Sequence, residues 1–165
     1  MALPGPVRMG HRRAMTDELH AALDWSGLAI MDIDECYEAL DGQPIGRLGF
    51  VDQGAPVILP VNFTTDGRTI VFRTGQGSKL AAAIMESPVC LEVDGWDPVA
   101  HTGWSVLVKG TAEEIVDDTT IAHLATLPVR PWSRPDLRWH WVRVRVDEVS
   151  GRRVTSGSAG SAPPR

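Results

Sequence analysis

Phe72-Arg73-Thr74-Gly75-Gln76-Gly77-Ser78-Lys79-Leu80 ends an alternating strand on two glycines, a hydroxyl and a cation. The strand is Thr69-Ile70-Val71-Phe72-Arg73-Thr74, and a helix-compatible run, Leu80-Ala81-Ala82-Ala83-Ile84-Met85, follows the turn. A strand that stops in a glycine turn at a helix N-terminus leaves backbone N–H groups unpaired, and such groups hold phosphate. Lys79 supplies an opposing point charge. The spacing fits neither the Walker loop, whose lysine follows a longer glycine run, nor the GxGxxG dinucleotide turn. On these residues alone an equal alternative stands: Gly75 and Gly77 merely turn the chain and Lys79 is solvated.

Working outward, Pro56-Val57-Ile58-Leu59-Pro60-Val61-Asn62-Phe63 runs toward Asp66-Gly67, a strong hairpin dipeptide between two alternating segments. Val57, Leu59, Val61 and Phe63 share the face expected in the core, with Ile58, Pro60 and Asn62 on the other. Pro60 removes a ladder donor, which marks either a plain edge strand or a place for a ligand edge to approach. Upstream, Asp32 and Glu35 predict a capping box on a short helix ending near Leu40, with Gly42 as its stop. A first strand follows over 45–52, turned at Gly54-Ala55. Downstream, strands are predicted at Ser87-Pro88-Val89-Cys90-Leu91-Glu92-Val93-Asp94 and over 103–113. Asp117 or Asp118 then caps a helix through Leu127.

The last predicted strand, Trp139-His140-Trp141-Val142-Arg143-Val144-Arg145-Val146, separates into two faces. Val142, Val144 and Val146 form the core face, with His140 beside them as a structural or loop-facing histidine rather than a base. Trp139, Trp141, Arg143 and Arg145 face outward, which predicts an interface or ligand wall. The plainer reading is an arginine ladder with tryptophans packed under its stems.

Composition bounds what such a chain does. At 165 residues, with 43% hydrophobic and 22% charged, it has room for one domain with a core. A net charge of -5 and a pI near 5.5 advertise neither nucleic acid nor anionic lipid as a partner. No apolar run approaches the ~20 residues of a membrane helix, and the arginine-bearing start lacks a signal-peptide core. A cytoplasmic protein is expected, its two cysteines, Cys36 and Cys90, acting as small hydrophobes without a disulfide. Residues 1–15 and 155–165 read as disordered tails around a domain at 16–154, with Met1, Met9 and Met15 as alternative starts.

Short strands with a few short helices predict an α+β protein on a small antiparallel barrel. In its order of motifs the chain resembles the pyridoxamine 5'-phosphate oxidase-like family of flavin-binding split barrels over roughly residues 32–153. The motifs are Gly46-Arg47-Leu48-Gly49-Phe50, Pro60-Val61-Asn62-Phe63, Phe72-Arg73-Thr74 with Gly77-Ser78-Lys79-Leu80, and Trp104-Ser105-Val106 leading to Gly110-Thr111-Ala112-Glu113. The resemblance implies a mainly antiparallel six-stranded split β-barrel, a homodimer, and FMN at the subunit boundary, with F420 as the alternative cofactor.

The same resemblance implies a set of cofactor-binding residues. Arg73 and Thr74 match positions contacting the flavin and its ribityl phosphate, and Ser78 with Lys79 matches the phosphate turn. Residues 58–63 match the strand along the isoalloxazine, where Pro60, Val61, Asn62 and Phe63 meet the ring. Ser105 stands where the oxidase proper has a glutamine, and Trp141 is placed at the ring from the partner subunit. The oxidase ends in a basic, histidine-containing tail, absent from 151–165 here, so a substrate other than pyridoxamine phosphate is expected.

No side chain declares itself as a catalyst. His101, His123 and His140 lack metal-ligand spacing, and no nucleophile elbow surrounds Ser78 or Ser105. Asp94, Asp97, Glu113, Glu114, Asp117 and Asp118 are read as turn and cap residues. Two functions therefore compete. One is an oxidoreductase passing hydride between a nicotinamide or reduced deazaflavin and a small organic substrate; the other is a non-catalytic module binding flavin or haem.

Overall fold

Alternation along the strands decides which side chains the sheet encloses. The computed structural model describes residues 22–75, 80, 84–129 and 140–154. The expected tails lie outside the described residues, as do Trp139 and the 76–79 turn with Ser78 and Lys79. In chain order come β1 (Ala29–Met31), α1 (Ile33–Asp41), β2 (Ile45–Asp52), β3 (Ala55–Asp66), β4 (Thr69–Thr74), β5 (Pro88–Asp97), β6 (Thr102–Ile115), α2 (Asp118–Leu124) and β7 (His140–Val154).

All the strand pairs are antiparallel, and β4, β3, β2, β5, β6 and β7 close on themselves because β7 pairs with both β4 and β6. This is a six-stranded barrel of the α+β class, with β1 added beside the end of β7. The shortest seam joins β2 to β5 through Arg47↔Glu92, Leu48↔Leu91 and Gly49↔Cys90. Inside lie Leu48, Phe63, Phe72, Leu91, Val106 and Val144, with Ile84 of the 80–84 stretch also fully buried. Each such side chain contributes about 1.5–3 kcal/mol by leaving water.

Local chemistry places the helices where they close the barrel. The α1 capping box is complete: Glu35 N–H donates to Asp32 Oδ1 and Asp32 N–H to Glu35 Oε2, both at 2.8 Å. Cys36 and Leu40 turn into the core, and burial pushes the Cys36 thiol up, so it stays neutral. At α2, the Asp117 carboxylate accepts from the Thr120 N–H and hydroxyl, each at 2.7 Å. The helix ends at Leu124, short of the Leu127 expected from sequence.

Two elements escape a sequence reading. β1 is only three residues long, and β7 continues from Val146 to Val154 through a charged stretch that lacks clean alternation. That continuation needs a bulge: Lys109 faces Glu148 but Gly110 faces Val146, leaving Asp147 as the extra residue. Carboxylates expected in turns also sit on strands. Glu113 pairs with Arg143 at 2.9 Å and Arg145 at 3.3 Å, and Glu114 pairs with His140.

A methyl group on Gly110 would lie 2.1 Å from the Arg145 carbonyl oxygen, so the bulge has no space for a side chain. Gly110→Ala should lower stability by ~2 kcal/mol or more through backbone displacement. Urea unfolding should show an earlier midpoint at an unchanged slope; an unchanged midpoint would refute the close approach.

Candidate functional site

On β4, Ile70 and Phe72 point into the core while Val71 and Arg73 point out. Arg73 lies over the Trp141 ring, 5.3 Å from its centroid. Its Nε is buried without a hydrogen-bond partner among the described residues. A charged donor left unpaired costs on the order of 1–3 kcal/mol, which an arriving anion would offset. The other described cations, Arg47, Arg68, Lys109, Arg143, Arg145, Arg152 and Arg153, each face a carboxylate.

Trp141 is only 5% exposed. Val71, Ile115, Leu124 and Val129 enclose it within its own chain. The outward aromatic wall expected from β7 is thus covered by α2 and the segment after it, and Arg143 with Arg145 forms a ladder on Glu113. The reason is tertiary: the outer face of β4, β6 and β7 is the floor of a second, smaller core. A partner is not needed to bury this tryptophan.

The remaining expected residues divide by face. Val61 and Phe63 belong to the core, and Thr74 is buried at the end of β4. Pro60 is exposed opposite Arg47, and Asn62 Nδ2 donates to the Pro44 carbonyl at 3.2 Å. Ser105 is exposed between Asp94 and Arg152. The outer face therefore brings Arg73, Asn62, Pro60, Arg47 and Ser105 into one band across β4, β3, β2, β5 and β6. Its four inter-strand steps follow about two thirds of the six-stranded circumference, so Ser105 lies around the barrel from Arg73.

Two parts of this face went unread in the sequence. Arg47 Nη1 lies 2.9 Å from both Glu92 Oε2 and Asp94 Oδ1, and these hydrogen bonds, Asp94 first, raise the arginine further above its ordinary value. The signal was available in the matching parity of Arg47 on β2 and Glu92 with Asp94 on β5. The second part is an open groove of about 300 Å³ beside Ser105, bounded by the β5–β6 hairpin, the end of β7 and Leu28. Nothing local in the sequence joins those segments. Along the hairpin of β2 and β3, Val51, Pro56, Ile58, Leu59 and Pro60 form an exposed apolar strip, Ile58 at 69%. Leu59, expected in the core, is among them at 38%, although its register partner Leu48 is fully buried. Among the described residues, no three His, Cys, Asp or Glu converge as metal ligands.

Comparison with known proteins adds an independent line. A family model described as pyridoxamine 5'-phosphate oxidase matches residues 32–153. An uncharacterised protein of Mycobacterium tuberculosis is 33% identical over 155 residues, covering 90% of this chain and 96% of its own. The FAD binding protein of Mycobacterium smegmatis is 33% identical with a TM-score of 0.67, over 75% of this chain and 96% of that one. A FAD and heme binding protein of the same organism shares the fold at 19% identity and a TM-score of 0.60, over 79% of each chain.

One wall of the groove is sensitive to acid. Asp24 Oδ2 accepts from Arg152 Nε at 2.9 Å, tying residues 22–28 to β7. The Ser26 hydroxyl above all, with the Leu28 and Ser26 N–H groups and Arg152, holds the Asp24 carboxyl at about 2, against partial desolvation. A carboxyl depressed in the fold stabilises above its ordinary value of 3.8 and loses that contribution as pH falls through about 2. Thermal midpoints of wild type and Asp24→Asn should therefore differ at pH 6 and converge toward pH 2. A constant difference across that range would remove the latch.

Proposed function

The chain belongs to the pyridoxamine 5'-phosphate oxidase family, and from that premise we propose that it is a flavin-binding oxidoreductase acting on a small organic molecule. The observation behind this reading is Arg73, whose buried Nε has no partner among the described residues and sits near the end of β4. An anionic phosphate suits that position, with Lys79 and Ser78 of the turn as further donors. FMN, the flavin that the family resemblance implies, is the proposed cofactor. FAD, which the Mycobacterium smegmatis relative binds, and F420 are the competing ligands.

When bound, the flavin supplies hydride transfer, and the protein's residues bind it and shape its surroundings. Arg73 takes the phosphate while Trp141 fixes the guanidinium from below. Pro60 offers no backbone donor, leaving an apolar edge along the ring, and Arg47 is held in place by Glu92 and Asp94. Ser105 is short enough to leave the groove open to a substrate. A nicotinamide nucleotide is the proposed hydride partner. We further propose a homodimer, in which a second copy covers the Val51, Ile58 and Leu59 strip and water is excluded from the ring. A cytoplasmic location fits this chemistry.

Purified protein titrated with FMN, FAD and F420 should bind one of them, with bleaching by NADH or NADPH if FMN or FAD is retained. Arg73→Ala should weaken that ligand ten- to a hundred-fold, the equivalent of ~1.5–3 kcal/mol for a charge-assisted contact. Equal affinity in wild type and variant would exclude Arg73 as the phosphate ligand. Ile58→Glu should shift sedimentation toward monomer and weaken the flavin together, whereas Arg73→Ala should leave assembly unchanged. A dimeric Ile58→Glu protein would move the interface elsewhere.

A further inference from the structure

The groove beside Ser105 has a chemistry of its own. Its lip is Trp96, 75% exposed on β5, a large aromatic surface left in water. On the core face of the hairpin, behind it, the Trp104 indole lies against Gly95, where a methyl group would come within 2.6 Å of Nε1. Gly103, paired with Trp96, keeps the opposite strand equally flat, since a methyl there would meet the Gly95 carbonyl at 3.0 Å. The result is a smooth ledge beside Trp96, about 300 Å³ in volume, which accepts a single substituted ring.

The charges around the groove select for sign. Glu92 and Asp94 both line it, and one arginine, Arg47, lying outside the lining, serves the two of them. Arg152 also lines it, but its Nε is engaged by Asp24 and its Nη1 by the Gly151 carbonyl at 2.8 Å. One carboxylate charge is left over, while the cation on the lining is already neutralised. An anion would meet repulsion, and a neutral ring would gain only the stacking. A cation gains both the Trp96 indole face and the carboxylates.

We infer that this groove binds a planar aromatic cation, an N-alkylpyridinium-type ring stacked on Trp96 with its charge toward Asp94 and Glu92. The site uses neither Arg73 nor Lys79 and shares only the Ser105 end of the band, where Glu92 and Asp94 hold Arg47. Trp96 and Asp94 are exposed, and replacing them leaves the core intact.

Calorimetric titration of the full chain with 1-methylnicotinamide, and with neutral nicotinamide as a control of nearly the same shape, tests the inference. Saturable binding of the cation, roughly tenfold tighter than nicotinamide, is expected. Trp96→Ala should abolish most of the affinity for both. Asp94→Asn should bring the two ligands close together by weakening the cation alone. Equal binding of both ligands to wild type, no saturable binding, or a Trp96→Ala protein that binds like wild type would each overturn the inference. In the wild type, flavin binding without pyridinium binding removes the groove, and the reverse removes the cofactor site. Trp96→Ala should keep the wild-type flavin affinity while losing the pyridinium.

Discussion

Everything on the outer face depends on how β7 closes the barrel. The strand has to pair with β6 from His140's neighbour Trp141 to Val154, while its other edge serves β4 first and β1 afterwards. No regular strand of that length could follow both partners without a change of twist. Asp147 is the inserted residue that permits it, and Gly110 is the position opposite where the backbone crowds most. Gly151 performs a related service at the far end, where a methyl group would lie 2.6 Å from Cys36 Sγ, and so lets α1 close over the core. Closure also removes the sheet edges that an open six-stranded sheet would expose.

The two ends of β7 thereby acquire different roles. At its start, Trp141 is covered by α2 and becomes a platform under Arg73. At its end, Arg152 and Val154 meet the β5–β6 hairpin and form one wall of the groove. The ion pairs between them, such as Arg47 with Glu92 and Asp94, are largely exposed and contribute little to stability. Their effect is to hold side chains in fixed positions and to cancel charge selectively. What they leave uncancelled is informative: a buried donor on Arg73, and an excess carboxylate beside Trp96.

The burial of Trp141 changes the case for assembly. Exposed tryptophan on β7 is not what calls for a partner, because the chain covers it internally. Among the apolar side chains that remain in water, Val51, Ile58 and Leu59 lie together on the hairpin of β2 and β3. That strip borders Pro60 and Asn62, so a second copy placed there would adjoin the band that starts at Arg73.

The sequence by itself determined the local elements, because each is written in nearest-neighbour chemistry. Asp32 and Glu35 specify the start of α1, Asp66-Gly67 turns β3 into β4, and period-two alternation assigns Ile70, Phe72, Val142 and Val144 to the core. Motif order was enough for the family, and the glycines with Lys79 after the strand were enough to nominate an anion site, to which the resemblance added Arg73. Only the tertiary structure decided what lies over an outward face and which distant carboxylate meets which cation. Alternation says that Trp141 leaves the barrel interior, but whether it then meets solvent, a partner or α2 depends on a helix roughly twenty residues earlier. The groove likewise joins Leu28, the β5–β6 hairpin and the end of β7, segments brought together by barrel closure and by nothing in their own composition.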